Sequence, residues 1–442
     1  MRVFINVIFV IFFVSSIYAQ KDLLQSGPML GQSQMREVSI WIQTKESAKV
    51  KIGYKEVGSN SELTFTSERI TSSDNMFTLT LIADKVEPGR SYEYKVFIND
   101  KELKFDYPLE FQTQKLWQWR EDPPAYKFLV GSCLYINEEI YDRPGKPYGG
   151  KYQILTDMFN KDADFMVWLG DNTYLREADW YSKTGIYNRY THTRSLNELQ
   201  PILASTHHYA TWDDHEFGPN NSNRSFVAKE TTLQAFKDFW ANPSYGINGK
   251  PGVTTYFEWG DAAFFMMDNR YYRTPENRKT GDRQILGDEQ IEWLIDGLTT
   301  TDAEFKFVCL GGQFLNTTPI GENHSTFPEE RIKILNLIEK EGIEGVIFLT
   351  GDIHRTELTK LDRYRNYPLY EFTLSPLTAG PSTWDKPINN HRVDNTLVQE
   401  RNYGLFEITG PRKDRKLKCS VYNSNGELKW TYEINANELK KK

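Results

Sequence analysis

A chain of 442 residues, 39% hydrophobic and 14% aromatic with a formal net charge of -7, is too long for one ordinary core and predicts two packed globular units. The acidic balance excludes a nucleic-acid backbone as the main partner, because that binding rests on basic patches that release counterions. Any anionic ligand must instead be met by local cations or by metal ions.

Residues 1–19 carry Arg2, an unbroken apolar run from Val7 to Val14, and small residues ending at Ala19. This is the pattern of a secretory signal cut before Gln20. Its apolar run is shorter than the ~20 residues a bilayer span needs, and no other stretch is long enough. The expectation is a secreted or periplasmic protein, a monomer without a stable membrane span after cleavage. Three cysteines, Cys133, Cys309 and Cys419, are too few and too odd in number for a disulfide framework.

Residues 20–114 alternate strand-like runs with turn clusters. VSIWIQT, AKVKIGY, LTFTSE, MFTLTLI, SYEYKVFI and LEFQTQ predict a small all-β sandwich of the immunoglobulin or fibronectin kind. Val86 to Tyr92, VEPGRSY, has the turn and the tyrosine that corner such a module. Packing against the next domain is its expected role, with sugar or protein binding as the alternative. Residues 115–126 hold Trp117, Trp119 and the Pro123-Pro124 pair, and predict a stiff, partly docked linker.

From residue 127 to 438 the pattern changes. Short apolar strands at Phe128 to Gly131, Phe165 to Leu169, Ala262 to Met267, Phe305 to Leu310, Val346 to Leu349 and Phe372 to Leu374 alternate with helix-type spacing at Lys229 to Trp240, Asp288 to Gly297 and Glu329 to Glu341. GLFEIT, LKCSVYN and LKWTYEI then return to strands that complete a sheet of this domain. The fold class is α/β, layered, with polar residues at strand exits.

Those exits carry the chemistry. GSC ends at Cys133, GDNTY runs from Gly170 to Tyr174, TWDDHEFGPNN from Thr211 to Asn221, and GDIH from Gly351 to His354. Carboxylates and an amide suit hard cations such as calcium or magnesium, whereas a thiolate and a phenolate suit a stronger Lewis acid such as ferric iron. Paired cations clamp a phosphate and turn a bound water into hydroxide at neutral pH. Arg270, two residues after Asp268 at a strand end, is a candidate phosphate clamp, with pairing to a local carboxylate as its other reading. His207 and His208 are read as strand residues on the approach to Asp213. The insertion from Asp142 to Gly150 and the long segment from Pro376 to Asn402 are expected to wall the pocket.

In combination, GSC, GD-x-x-Y, W-D-D-H-E followed by Asn, and GD-x-H resemble, in order, the motifs of the PhoD-like alkaline phosphatases within the wider metallophosphoesterases. The resemblance spans almost the whole chain beyond residue 19, since that family also places a fibronectin-like domain before the catalytic one. It implies a four-layered αββα catalytic sandwich that holds Fe3+ and Ca2+. Cys133, Asp171 and Tyr174 match the family's iron-side donors, with Asp171 bridging. Asp213, Asn220, Asp352 and His354 match its other metal positions. The division of labour between Asp213 and Asp214 stays open, with Asp214 and His215 placed among the catalytic groups and His215 as the supporting or proton-donating histidine. The implied activity is hydrolysis of phosphate esters by metal-activated hydroxide. The alternatives are a phosphodiesterase or phospholipase D-like activity on lipid or polymer phosphodiesters, and a non-catalytic surface binding protein.

Overall fold

The computed structural model describes residues 23–383 and 389–441; the expected signal at 1–19 lies outside them. Among the described residues no helix is long and apolar enough to cross a membrane. Two sheets form the centre. A nine-stranded sheet has the order Leu428–Asn435, Lys416–Asn423, Asn402–Thr409, Tyr126–Gly131, Phe165–Leu169, His207–Thr211, Leu24–Ser33, Val38–Thr44 and Thr78–Ala83. A six-stranded sheet has the order Thr255–Trp259, Ala262–Met266, Phe305–Cys309, Val346–Thr350, Leu369–Thr373 and Glu357–Leu361.

Period-two alternation decides what each face meets. Phe128, Val130, Phe165 and Val167 point into the space between the sheets and join Phe264, Phe307, Ile347 and Phe406 in one core. Phe128 meets Phe264 edge-on at 5.3 Å and Phe307 at 5.6 Å, so aromatic rings join the two sheets directly. The alternate residues Leu129, Met166 and Trp168 face a second core shared with helices Gln153–Asn160, Lys183–Arg194, Gln200–Ser205 and Lys229–Phe239. On the far side of the six-stranded sheet, helices Asp288–Thr300 and Pro328–Lys340 supply Leu294, Ile295, Ile334 and Ile338. The layers therefore run helix, sheet, sheet, helix, as the resemblance implies.

The N-terminal region is a sandwich, but one of its two sheets is the edge of the large one. Strands Lys49–Glu56 and Ser91–Ile98 head a separate small sheet. It packs Val50, Ile52, Val96 and Ile98 against Leu30, Ile40, Ile42 and Leu81. Strand Leu24–Ser33, absent from the six predicted strands, pairs antiparallel with Val38–Thr44 and parallel with His207–Thr211 through Leu30 and His207. Its Gly27-Pro28 step reads as a turn in sequence, and the pairing accommodates it at a register shift between Ser26 and Met29. The expected corner is present: Tyr92 OH accepts the Glu87 N–H at 2.7 Å. Trp41 docks the sandwich on the helical layer, donating from Nε1 to Asp238 O at 2.8 Å and packing on Phe239 at 5.8 Å.

His207 and His208 are core residues, buried and neutral. His207 Nδ1 lies 2.8 Å from Gly31 O. Trp168 Nε1–H donates to His208 Nδ1 at 2.9 Å while His208 Nε2 donates to Ile202 O at 3.1 Å. An imidazolium at 208 would set two N–H groups against each other. Burial accordingly holds His207 down to about 4 and His208 down to about 3. The unfolded chain protonates these rings near the ordinary histidine value of about 6.5. Their stabilising contribution is thus complete above that pH, and it is lost progressively as pH falls toward the folded values. Thermal melts from pH 7.5 down to pH 4.5 are expected to show that loss, and His208→Gln to flatten the slope by up to about 1.4 kcal/mol per pH unit. An unchanged slope in the variant would contradict the neutral assignment.

Candidate metal centre

Parallel pairing sets the C-terminal ends of Tyr126–Gly131, Phe165–Leu169 and His207–Thr211 side by side in one sheet, and those of Ala262–Met266, Phe305–Cys309 and Val346–Thr350 in the other. At this end the two sheets are laced together: Thr211 Oγ1 donates to Met267 O at 2.7 Å and Ser132 Oγ to Leu374 O at 2.9 Å. The exit residues turn sharply inward. Cys133, Asp171, Asp352 and His354 have φ of 61°, 54°, 70° and 53°, a left-handed backbone that disfavours side chains bearing Cβ by about 1–2 kcal/mol each. Four such residues at one site store strain where side chains must converge.

They do converge. Ligand atoms of Cys133, Asp171 and His354 lie within 4.8 Å of one another, as do those of Asp171, Asp214 and His215 and those of Asp213, Asp214 and Asp352. Asp171 belongs to the first two groups and Asp214 to the last two. Tyr174 OH reaches Asp171 Oδ2 and His354 Nε2, each at 3.1 Å. Cys133 Sγ lies 3.7 Å from Asp171 Oδ2 and accepts Ser375 Oγ–H at 3.1 Å.

The electrostatics demand positive charge here. Burial, then the neighbouring carboxylates, push Asp171 and Asp352 well above the usual carboxylate range. Burial pushes the Cys133 thiol up to about 12 and the Tyr174 phenol well above its ordinary value. Against the opposing effect of burial, His215 and Arg270 hold Asp214 down to about 2. Burial lowers His215 and His354, favouring the neutral imidazole that binds metals. Asp213 Oδ2 and Asp214 Oδ1 are buried without a hydrogen-bond partner. Orphaned carboxylate oxygens beside a thiol, a phenol and two neutral imidazoles fit metal cations, hard on the carboxylate side and more strongly Lewis-acidic on the thiol side.

Two of the expected site residues sit differently. Asn220 is exposed, its amide bonded to Asn221: the short helix Asp214–Phe217 ends at Gly218, and in the turn beyond it the backbone N–H of Asn221, in place of the Asn220 side chain, reaches the cluster, donating to Asp214 Oδ2 at 2.7 Å. Arg270 is fully buried but takes its second reading. Its guanidinium binds Asp213 Oδ1 through Nε and Glu322 through Nη1 at 2.8 Å, with Nη2 3.8 Å from Asp214 Oδ1. His215 stands at the mouth, 23% exposed, with its ring 4.2 Å from that of Tyr174.

Several contributors escape a reading of the sequence. Glu216, visible only as part of a charged run, accepts the backbone N–H of Asp171 at 2.8 Å, of Asn172, and of Asp213 at 3.2 Å, tying two strand exits together. Asn269 donates to Asp213 Oδ1 at 2.9 Å and leaves its own buried Oδ1 unpartnered. Tyr148 OH and Gly380 O lie 2.9 and 2.7 Å from His354 Nδ1 and come from the two segments expected to wall the pocket. Gly311 is the least obvious: a Cβ there would stand 2.5 Å from Asp213 Cγ and 2.7 Å from Asn269 Nδ2. Gly311→Ala is expected to displace Asp213, with about 1–3 kcal/mol lost in thermal or urea unfolding and activity reduced at least tenfold. Gly312→Ala, whose Cβ would meet Glu322 O at an ordinary 3.7 Å, should be tolerated. Equal effects of the two would show that the contact with Asp213 is not what matters.

Comparison with known proteins gives consistent results. A family model for PhoD-like phosphatase matches residues 128–412, and one for a domain of unknown function (DUF7800) matches residues 21–116. Among curated proteins, alkaline phosphatase D of Bacillus subtilis (strain 168) is 25% identical over 366 residues, 70% of this chain. The match spans only 60% of that relative's own length. Among solved structures, the structure of PhoD superposes with a TM-score of 0.73 at 18% identity, covering 92% of this chain and 91% of that one. The purple acid phosphatase PPD1 from yellow lupin (Lupinus luteus) seeds superposes with a TM-score of 0.67 at 12% identity, covering 92% of this chain and 74% of that one. Both structural likenesses concern the fold.

Proposed function

The chain belongs to the PhoD-like phosphatase family, and from that premise we propose that it hydrolyses phosphate esters at the cluster built on Asp171. The observation that carries this reading is the shared carboxylate: Asp171 lies in two three-residue groups of metal-ligand atoms, one with a thiol and the other with Asp214. Cys133, Asp171, Tyr174 and His354 would hold the more Lewis-acidic cation, Fe3+ by family likeness. Asp171, Asp213, Asp214 and Asp352 would hold the harder one, Ca2+. When bound, such a pair polarises a phosphoryl oxygen and lowers the pKa of a water.

The protein's own residues do the rest. Glu216 fixes Asp171 and Asp213 through their backbones, so the spacing of the two poles is set before any substrate arrives. Arg270 and Asn269 hold Asp213 by one oxygen and leave the other free for the site. His215, partly exposed and grouped with Asp171 and Asp214, is the group positioned to relay a proton between the cluster and solvent. Tyr148 and Gly380 orient His354 from the Nδ1 side. The reading includes export, supported by the leader pattern in residues 1–19.

The test is hydrolysis of a matched phosphomonoester and phosphodiester by protein loaded with calcium and ferric iron, with and without chelator. Turnover abolished by chelator is expected. The ratio of the two rates assigns the enzyme to monoesters or to lipid and polymer diesters. Bound metal with no turnover of either ester would refute the proposal in favour of a binding protein.

A further inference from the structure

A cleft of about 820 Å³ opens at the end of the molecule opposite the metal centre. Ala262, the first residue of strand Ala262–Met266, and Glu304, just before strand Phe305–Cys309, lie in its wall. The metal-side residues leave the other ends of these strands, roughly 17 Å away at about 3.3 Å per residue. The two sites are therefore separate, and nothing in the phosphoesterase reading uses this one.

The lining has a definite chemistry. Trp117, Trp119, Tyr256 and Trp293 present four aromatic rings, with the amides of Gln34 and Gln118 between them. The walls are held in place. Arg412 stands 5.3 Å from the Trp117 ring centroid and donates to Gln118 O at 2.8 Å and Glu121 O at 2.9 Å. Arg415 Nη2 donates to Pro124 O at 2.8 Å. Gln114 spans the gap, donating to Glu258 O at 3.2 Å. Trp293 rests edge-on against Phe265 at 5.8 Å. Trp119 is nevertheless 84% exposed, a large ring kept at the mouth of a fixed cleft.

Charge narrows the occupant. Asp261 is paired with Arg415 at 2.7 Å and Glu304 with Lys440 at 3.3 Å. Glu258, Asp296 and Asp302 then share the lining with Lys115 and Arg412. So near a balance attracts neither a phosphate polymer nor a strongly cationic chain. The carboxylates and amide oxygens ask for a ligand rich in hydroxyl donors. A proline-rich peptide, the other common occupant of aromatic clefts, offers mainly carbonyl acceptors. Rings that stack on C–H faces, flanked by acceptors for hydroxyl groups, match a sugar chain, and the volume falls in the range of small-molecule sites.

We propose that this cleft binds a neutral oligosaccharide, anchoring the protein to a glycan while the metal centre stays open at the far end. The test is tryptophan-fluorescence titration and affinity electrophoresis of the whole protein. The probes are neutral hexasaccharides: β-1,4-, β-1,3- and α-1,4-linked glucose and β-1,4-linked N-acetylglucosamine. A proline-rich peptide and an oligolysine serve as competitors of other chemistry. At least one saccharide should saturate with Kd tighter than ~1 mM. Trp119→Ala should weaken that binding roughly tenfold, with melting temperature and phosphoester hydrolysis unchanged, and Trp117→Ala should weaken it likewise with phosphoester hydrolysis unchanged. Saturation by none of the saccharides, saturation by a peptide alone, or full-strength binding in both variants would overturn the proposal.

Discussion

Asp171→Ala is expected to remove metal and activity together. The residue lies in both the thiol-bearing and the Asp214-bearing ligand groups, so its loss takes one anionic donor from each cation. Losing an outer-shell partner of a metal lowers affinity or activity about 10–100-fold; losing the shared ligand should exceed that. Metal content by elemental analysis and turnover at saturating substrate are the readouts. The stability result should run the other way. Burial and neighbouring carboxylates raise Asp171, so without cations its ionised form destabilises the fold at any pH above its unfolded value. Chelated wild type should therefore melt no higher than chelated variant, whereas metal should stabilise wild type alone, by about 2.7 kcal/mol at a hundredfold excess over Kd. Asp171→Asn separates this from backbone strain, because asparagine tolerates the left-handed conformation at φ 54° better than alanine. Wild-type metal content in either variant would end the assignment of Asp171 as the shared ligand.

Arg270→Met is expected to destabilise the fold by about 3–5 kcal/mol, because it leaves Asp213 buried without its cation and Glu322 with only the more distant Arg273, at 3.5 Å. The loss should be greatest in chelated protein, since a bound metal would take over part of the compensation at Asp213. Arg270→Lys should recover only part: an ammonium carries the charge but lacks the planar fork that reaches Asp213, Glu322 and Ser222 O together. Urea unfolding with and without metal measures this. A phosphate clamp would behave differently, with KM and inhibition by inorganic phosphate shifting while unfolding stayed within about 1 kcal/mol of wild type. That second pattern would restore the clamp reading.

What the sequence makes legible here is local. A buried strand ending in Gly-Asp, followed within three residues by Tyr or His, announces Asp171 with Tyr174 and Asp352 with His354 without any knowledge of the rest of the chain. The layered architecture is legible for the same reason, because short apolar strands separated by helical spacing admit few arrangements. What stays hidden depends on distant partners. The fate of Arg270 is decided by Glu322, 52 residues further on. The work of Glu216 is done on backbone groups of another strand exit, 44 and 45 residues away. Gly311 carries no chemistry and matters only through what approaches it. Asn220 follows its motif in sequence, yet it lies in an exposed turn beyond Gly218 with its amide on Asn221. Strand Leu24–Ser33 is concealed by a Gly-Pro step that most strands exclude and a register shift accommodates.

The pairing of Leu30 with His207 has a consequence for how such proteins can be rearranged. A module joined only by a tether can be cut off or exchanged, and its neighbour keeps its shape. Here removal of the first hundred residues would strip a strand from the side of His207–Thr211 and leave its backbone donors and acceptors as a raw edge, open to pairing with another chain. Trp41 would leave Phe239 uncovered at the same stroke. Truncation should thus yield a sticky fragment in place of a smaller enzyme, and the two family matches, 21–116 and 128–412, mark a seam in sequence that the folded molecule does not possess.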